Sequence, residues 1–141
     1  MNSYARSADA YLSQRILGAG PEQQAALIME AGQLHLGRAI QALNQNDLAT
    51  ATRSFIRVSE VIAEATSRLN LEGGVDLAQN LNKLYTYWTA EIMAASKAQD
   101  TQRLAAVARG MGEIRQAWEQ FQQKKVGAER VTTFQLGNQF V

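Results

Sequence analysis

The side chains that could do chemistry in this chain are few. Among its 141 residues there is no cysteine and one histidine, His35. Disulfides, cysteine–zinc sites, thiol catalysis and a two-histidine acid/base pair are therefore excluded. His35 is the one side chain that titrates near neutral pH. A carboxylate di-metal bundle needs paired Glu-x-x-His motifs, and the residue three before His35 is Gly32. Gly73 and Gly74 have no lysine following at the spacing of a phosphate-cradling loop. Glu60 and Glu64 lie four apart with Arg57 and Arg68 beside them, which reads as an ion-paired, solvated helix face. No constellation supports catalysis, and none calls for a metal or a cofactor.

The elements that carry these residues are helical. Apolar residues make up 46% and charged residues 19% of the chain, a globular composition, and the length fits one domain. Fourteen basic against thirteen acidic side chains leave a formal charge of +1. That balance argues against nucleic acid, which asks for a strongly basic face. No apolar run is long enough to span a bilayer, and residues 1–12 lack the apolar stretch of a secretory signal. The expected compartment is the cytoplasm, with no direct membrane insertion.

Pro21 is the single proline and suits a first helical position. Beyond it, sparse punctuation divides the chain into four segments: Pro21 to about Gln45, Asp47 to about Leu71, Val75 to Ala98, and Asp100 to about Lys125. Each carries a seven-residue apolar seam. Met29, Leu36 and Leu43 recur in the first, with a second line of Leu27, Ala31 and Leu34. Leu48, Phe55, Ile62 and Leu69 alternate with Ala51, Val58 and Ala65 in the second. Ala78, Tyr85 and Ile92 alternate with Leu81, Trp88 and Ala95 in the third. Leu104, Met111 and Trp118 alternate with Val107, Ile114 and Phe121 in the fourth. Matched helices with short links predict an all-α fold, an antiparallel up-down four-helix bundle. Tyr4 to Gln14 adds a short amphipathic N-terminal helix or segment. Residues 1–125 form the bundle domain, and 126–141 are expected to be a flexible C-terminal tail.

Apolar residues also lie outside the seams. Ile56 is one position beyond the Leu48 line, Val61 flanks the other edge, Leu77 and Leu84 flank the third seam, and Tyr87 and Met93 lie off it. Together they amount to more apolar surface than four helices bury among themselves. A contiguous surplus marks a groove that accepts an amphipathic helix.

Particular residues go further. Tyr11 stands ten residues before Pro21-Glu22-Gln23. The second segment ends in Ser67-Arg68-Leu69-Asn70-Leu71-Glu72-Gly73-Gly74, the third holds Asn80-Leu81-Asn82-Lys83-Leu84-Tyr85-Thr86-Tyr87-Trp88, and the fourth closes with Ile114-Arg115-Gln116-Ala117-Trp118. In order and spacing, from about Tyr11 to Gln120, the chain resembles the flagellar secretion chaperones of the FliS family. It departs from the family pattern at Ala8, at Gly20 before the proline, and at Ile28-Met29-Glu30-Ala31.

The resemblance implies a cytosolic chaperone, not an enzyme, that binds the disordered C-terminal segment of flagellin. It blocks premature polymerisation and escorts its client to the export gate membrane protein of the flagellar type III apparatus. Family members also contact the flagellar anti-sigma factor. The residues expected to meet partners are Ile56, Val61, Leu84 and Tyr87, with Tyr11 in the position of the tyrosine implicated at the gate. Two rival readings stand beside this one. Histidine phosphotransfer domains are also helical bundles with a histidine near a basic residue and a glycine, here in the opposite order around His35. The surplus apolar face could also serve a self-associating structural protein.

Overall fold

The structure, a computed structural model, describes residues 20–71 and 76–139, with side chains described for 20–71 and 76–124. Tyr4 to Gln14, Tyr11 included, lies outside the described residues. Four helices run in chain order: α1 (Pro21–Asn44), α2 (Leu48–Ser67), α3 (Asp76–Ala98) and α4 (Thr101–Gln139). The described residues hold no strand, so the fold is the expected all-α bundle. α1 packs heavily against both α2 and α4, and α3 packs against α4 and, most sparsely, against α2. The helices therefore follow one another round a square. α4 does not end near Lys125, where the sequence reading closes it. Its backbone stays helical to Gln139 and gives it 39 residues against 24 in α1. That is about 58 Å against 36 Å.

The first and third connections reduce to one device used twice. At the end of α1, Asn46 takes a left-handed φ of 57°. Its N–H reaches the Leu43 carbonyl at 3.1 Å, and the Asp47 N–H reaches the Ala42 carbonyl at 2.8 Å. At the end of α3, Gln99 takes φ 53°, its N–H reaches the Ser96 carbonyl at 3.1 Å, and the Asp100 N–H reaches the Ala95 carbonyl at 2.9 Å. Both are Schellman closures, which satisfy carbonyls that a helix end leaves unpaired. In each, the next residue is an aspartate that caps the following helix. Asp47 Oδ1 accepts from the Thr50 N–H at 3.1 Å, and Asp100 Oδ1 accepts from the Arg103 N–H at 3.2 Å. Three residues in the first link and two in the third thus reverse the chain, and α1–α2 and α3–α4 are tight antiparallel hairpins.

The seams predicted from sequence form the core. Met29, Leu36, Ala51, Val58, Ile62, Leu81, Tyr85, Trp88, Ile92, Leu104, Val107 and Met111 are all buried. Two seam positions do not follow. Leu48 is exposed because it is the first residue of α2, and Phe121 is exposed toward the end of the bundle where α3 begins. α1 is the central helix: Ala26, Leu27, Ile28 and Met29 are buried in succession, so it is covered on every side there.

Close approach among the helices uses glycine. A Cβ on Gly32 of α1 would stand 3.0 Å from the Met111 sulfur and 3.3 Å from a Val61 methyl. Across the α1–α4 seam the Gln33 side-chain amide donates to the Ala108 carbonyl at 3.0 Å. It fits because Gly112 has no Cβ: one would come within 2.6 Å of Gln33 Nε2. Gly110 and Gly112 weaken a helix by propensity, and the close approach of the Trp88 and Gln33 side chains supplies the reason for them.

Candidate functional site

Among the described residues the bundle interior holds one titratable imidazole and no cluster of potential metal ligands. His35 is buried at 9% exposure on α1, so a partner's phosphoryl donor has poor access to it. Groups of three or more potential metal ligands are absent among the described residues. Glu60 and Glu64 are ion-paired as expected, to Arg57 at 3.2 Å and Arg68 at 2.9 Å.

The outside is more informative, because several large apolar side chains are left there. Val58 and Ile62 set the inner face of α2. Val61 lies at its edge toward α1, where its methyl approaches Gly32, and it is half-buried against the core. Ile56 lies on the outer side of α2, nearly opposite the Val58 and Ile62 face, and is 54% exposed. On α3, Trp88 meets Gly110 and Glu91 meets Arg103, so these residues mark the edge facing α4. Leu84 shares that edge at helical spacing and is half-buried against the core. Tyr87 stands at its outer rim, 58% exposed. Its hydroxyl donates to Glu91 Oε2 at 3.1 Å, and Glu91 Oε1 accepts from Arg103 Nε at 2.6 Å. The Glu91 carboxylate, through that bond and its charge, holds the Tyr87 phenol above its ordinary pKa.

The structure therefore brings Leu84 and Tyr87 together on the α3–α4 edge. It turns Ile56 outward on α2 and sets Val61 in the α1–α2 seam. Two further large apolar side chains are exposed, Leu48 on α2 at 56% and Met93 on α3 at 57%.

Another apolar feature, unseen in sequence, lies at the end of the bundle where α1 and α3 begin and α2 ends. A cavity of about 550 Å³ is lined by Ile28, Leu69, Leu81, Tyr85 and Trp118, with exposed Leu77 at its rim. The Trp118 indole N–H bonds to the Tyr85 hydroxyl, while burial pushes that phenol's pKa up. The two aromatics quoted from the third and fourth segments thus meet through a polar contact inside an apolar end. Periodicity could not show this, because the lining residues come from all four helices, Ile28, Ala65, Leu81 and Trp118 among them.

Among the described residues this is a helical scaffold with large apolar side chains left on several outer faces, the surface of a binding protein. A family model described as "Flagellar protein FliS" matches residues 3–125. The chain belongs to the FliS family, which is a family of flagellar secretion chaperones and not of enzymes. It is 28% identical over 109 residues to the "Flagellar secretion chaperone FliS" of Vibrio cholerae, covering 77% of this chain and 80% of that one. It is 25% identical over 108 residues to the "Flagellar secretion chaperone FliSB" of Pseudomonas aeruginosa, covering 77% and 86%. It is 26% identical over 110 residues to the FliS protein of Salmonella typhimurium, covering 77% and 82%. No helix among the described residues is long and apolar enough to cross a membrane.

Proposed function

We propose that this protein acts in the cytoplasm as a chaperone for flagellin. It binds the disordered C-terminal segment of its client, prevents premature polymerisation and delivers the client to the flagellar export gate. The observation that carries this reading is the outward exposure of Ile56 and Tyr87, each more than half accessible, on a bundle whose core is already filled. A client that wraps round the outside can touch Ile56 on α2 and the α3–α4 edge in succession. No single groove has to gather all the contact residues.

Mass action drives the capture. A disordered segment loses conformational entropy when it folds onto a surface, so the apolar contact must be large. At about 25 cal/mol per Å², roughly 1,000 Å² of apolar burial contributes about 25 kcal/mol gross, most of it cancelled by ordering and association. Val61 and Leu84, half-buried, support the floor beneath such a client, and Ile56 and Tyr87 meet it directly. Tyr11 is assigned to the export gate step. The flagellar anti-sigma factor is a further partner in this reading.

The test is a pull-down from flagellated cells, with flagellin lacking its C-terminal segment as control. Capture of intact flagellin and loss of the truncated form is the expected result. Equal capture of both forms counts against the reading. Ile56→Asp and Tyr87→Asp are expected to abolish binding with helical content unchanged, because both side chains are exposed.

A further inference from the structure

Glu91 is the one acidic residue of α3 beyond its first position. Its side chain is only 17% exposed, whereas Glu60 and Glu64 on α2 are each more than half exposed. A carboxylate drawn out of water is costly unless its oxygens are bonded. Glu91 divides its two oxygens between two partners. Oε1 accepts from Arg103 Nε at 2.6 Å and lies 2.5 Å from Arg103 Nη2. Oε2 accepts from the Tyr87 hydroxyl at 3.1 Å. The pairs Arg57–Glu60, Arg68–Glu64 and Arg115–Glu119 each lie within one helix, but Arg103–Glu91 joins α4 to α3.

The clamp stands on fixed backbone. Arg103 belongs to the first turn of α4, and its own N–H is held by the Asp100 cap at 3.2 Å. Its guanidinium therefore reaches Glu91 from a second, anchored helix. An exposed tyrosine on a helix is free to move among the rotamers open to it. The bond to a carboxylate that is itself held selects one of them for Tyr87, whose ring remains more than half accessible. A side chain ordered in advance loses less freedom when a partner covers it.

We propose that Glu91 and Arg103 are positioning residues for Tyr87: Arg103 of α4 clamps the carboxylate, the carboxylate fixes the phenol, and the ring is set in one orientation before a partner arrives. The proposal rests on the flagellin reading above, in which Tyr87 meets the client, and assigns the groups that hold that contact ready. Neither Glu91 nor Arg103 has to touch the client. The rival role for the pair is a plain tie between α3 and α4. The two roles are separable. A tie acts on stability whichever aromatic ring stands at position 87, whereas positioning acts only through the Tyr87 hydroxyl.

The experiment titrates the C-terminal segment of flagellin into the full chain by calorimetry. Tyr87→Phe, which keeps the ring and removes its tether, is expected to weaken binding about fivefold, the scale of one net hydrogen bond. Glu91→Ala is expected to cost the same, and the double variant no more than either single one, because all three break one linkage. Arg103→Ala is expected to weaken binding in the same direction and to add nothing on top of Glu91→Ala. A second readout needs no client. Three-bond NMR couplings give the χ1 angle of Tyr87, expected as a single rotamer in the parent and as an average in Glu91→Ala and Arg103→Ala. Circular dichroism confirms that each variant is folded. Parent protein that fails to bind the segment overturns the flagellin reading and, with it, the role in binding. Parent protein that binds while the Tyr87→Phe and Glu91→Ala losses add, or while neither variant loses affinity, overturns the positioning role alone. A rotamer-averaged Tyr87 in the parent does the same.

Discussion

Gly110 of α4 lies directly under the indole of Trp88 of α3: a Cβ at Gly110 would stand 3.2 Å from Cζ2 and 3.4 Å from Nε1 of that ring. Trp88 is buried and packs against Tyr85 with ring centroids 5.5 Å apart. The ring has no room to retreat. Gly110→Ala is therefore expected to destabilise the protein by about 1–2 kcal/mol, overpacking outweighing the gain in helix propensity. Gly37, with nothing within 4 Å of its would-be Cβ, has the opposite expectation. Gly37→Ala should stabilise by about 1 kcal/mol. Urea denaturation of both variants checks the difference in sign.

The left-handed Gln99 offers a second test. An L-residue with a full side chain at φ 53° is strained, and glycine is not. Gln99→Gly is expected to raise stability by about 0.5–1 kcal/mol. Gln99→Val is expected to lower it, because β-branching worsens the same clash. Asn46→Gly should gain less, since asparagine already tolerates this conformation. Thermal melts of the three variants measure the ordering.

The Asp47 cap gives a pH dependence of known sign. Its hydrogen bonds from Thr50 hold the carboxyl below its ordinary pKa. A group whose folded pKa is depressed contributes stability above its unfolded pKa and loses it as pH falls through the folded value. Asp47→Asn should flatten the melting temperature between the ordinary carboxylate range and more acid pH, relative to the parent. An unchanged acid slope would show that the cap carries none of it.

Leu36, fully buried at the centre of α1, tests the core. Leu36→Ala is expected to cost about 3 kcal/mol through lost transfer energy and the cavity left behind. Because α1 contacts both α2 and α4, the loss should appear as one cooperative shift of the whole unfolding transition, measured by circular dichroism and tryptophan fluorescence together.

Much of the fold was legible in the residues. The seven-residue recurrence of Met29, Leu36 and Leu43, and of Ala51, Val58 and Ala65, named buried residues of α1 and α2 before any coordinates. Pro21 marked the start of α1, and Asp47 opened the second segment, where it caps α2. Ile56, Tyr87 and Met93 were recognised as lying off the seams, and they are exposed. Two end positions, Leu48 and Phe121, were assigned to seams and are exposed instead, because periodicity carries no information on where neighbouring helices stop.

The composition and order of side chains by themselves determined the class: four amphipathic helices, no reactive centre and an apolar surplus outside the seams. Those properties are local, set by a 3.6-residue period and by which side chains exist at all. Tertiary structure alone decided which surplus residues share a face, that Val61 turns to Gly32 while Ile56 turns outward, and that Trp118 reaches Tyr85 inside the bundle-end cavity. It also decided that Glu91 divides its carboxylate between Tyr87 of its own helix and Arg103 of α4. These depend on the packing order of the helices and on hydrogen-bond geometry, and a one-dimensional pattern carries neither.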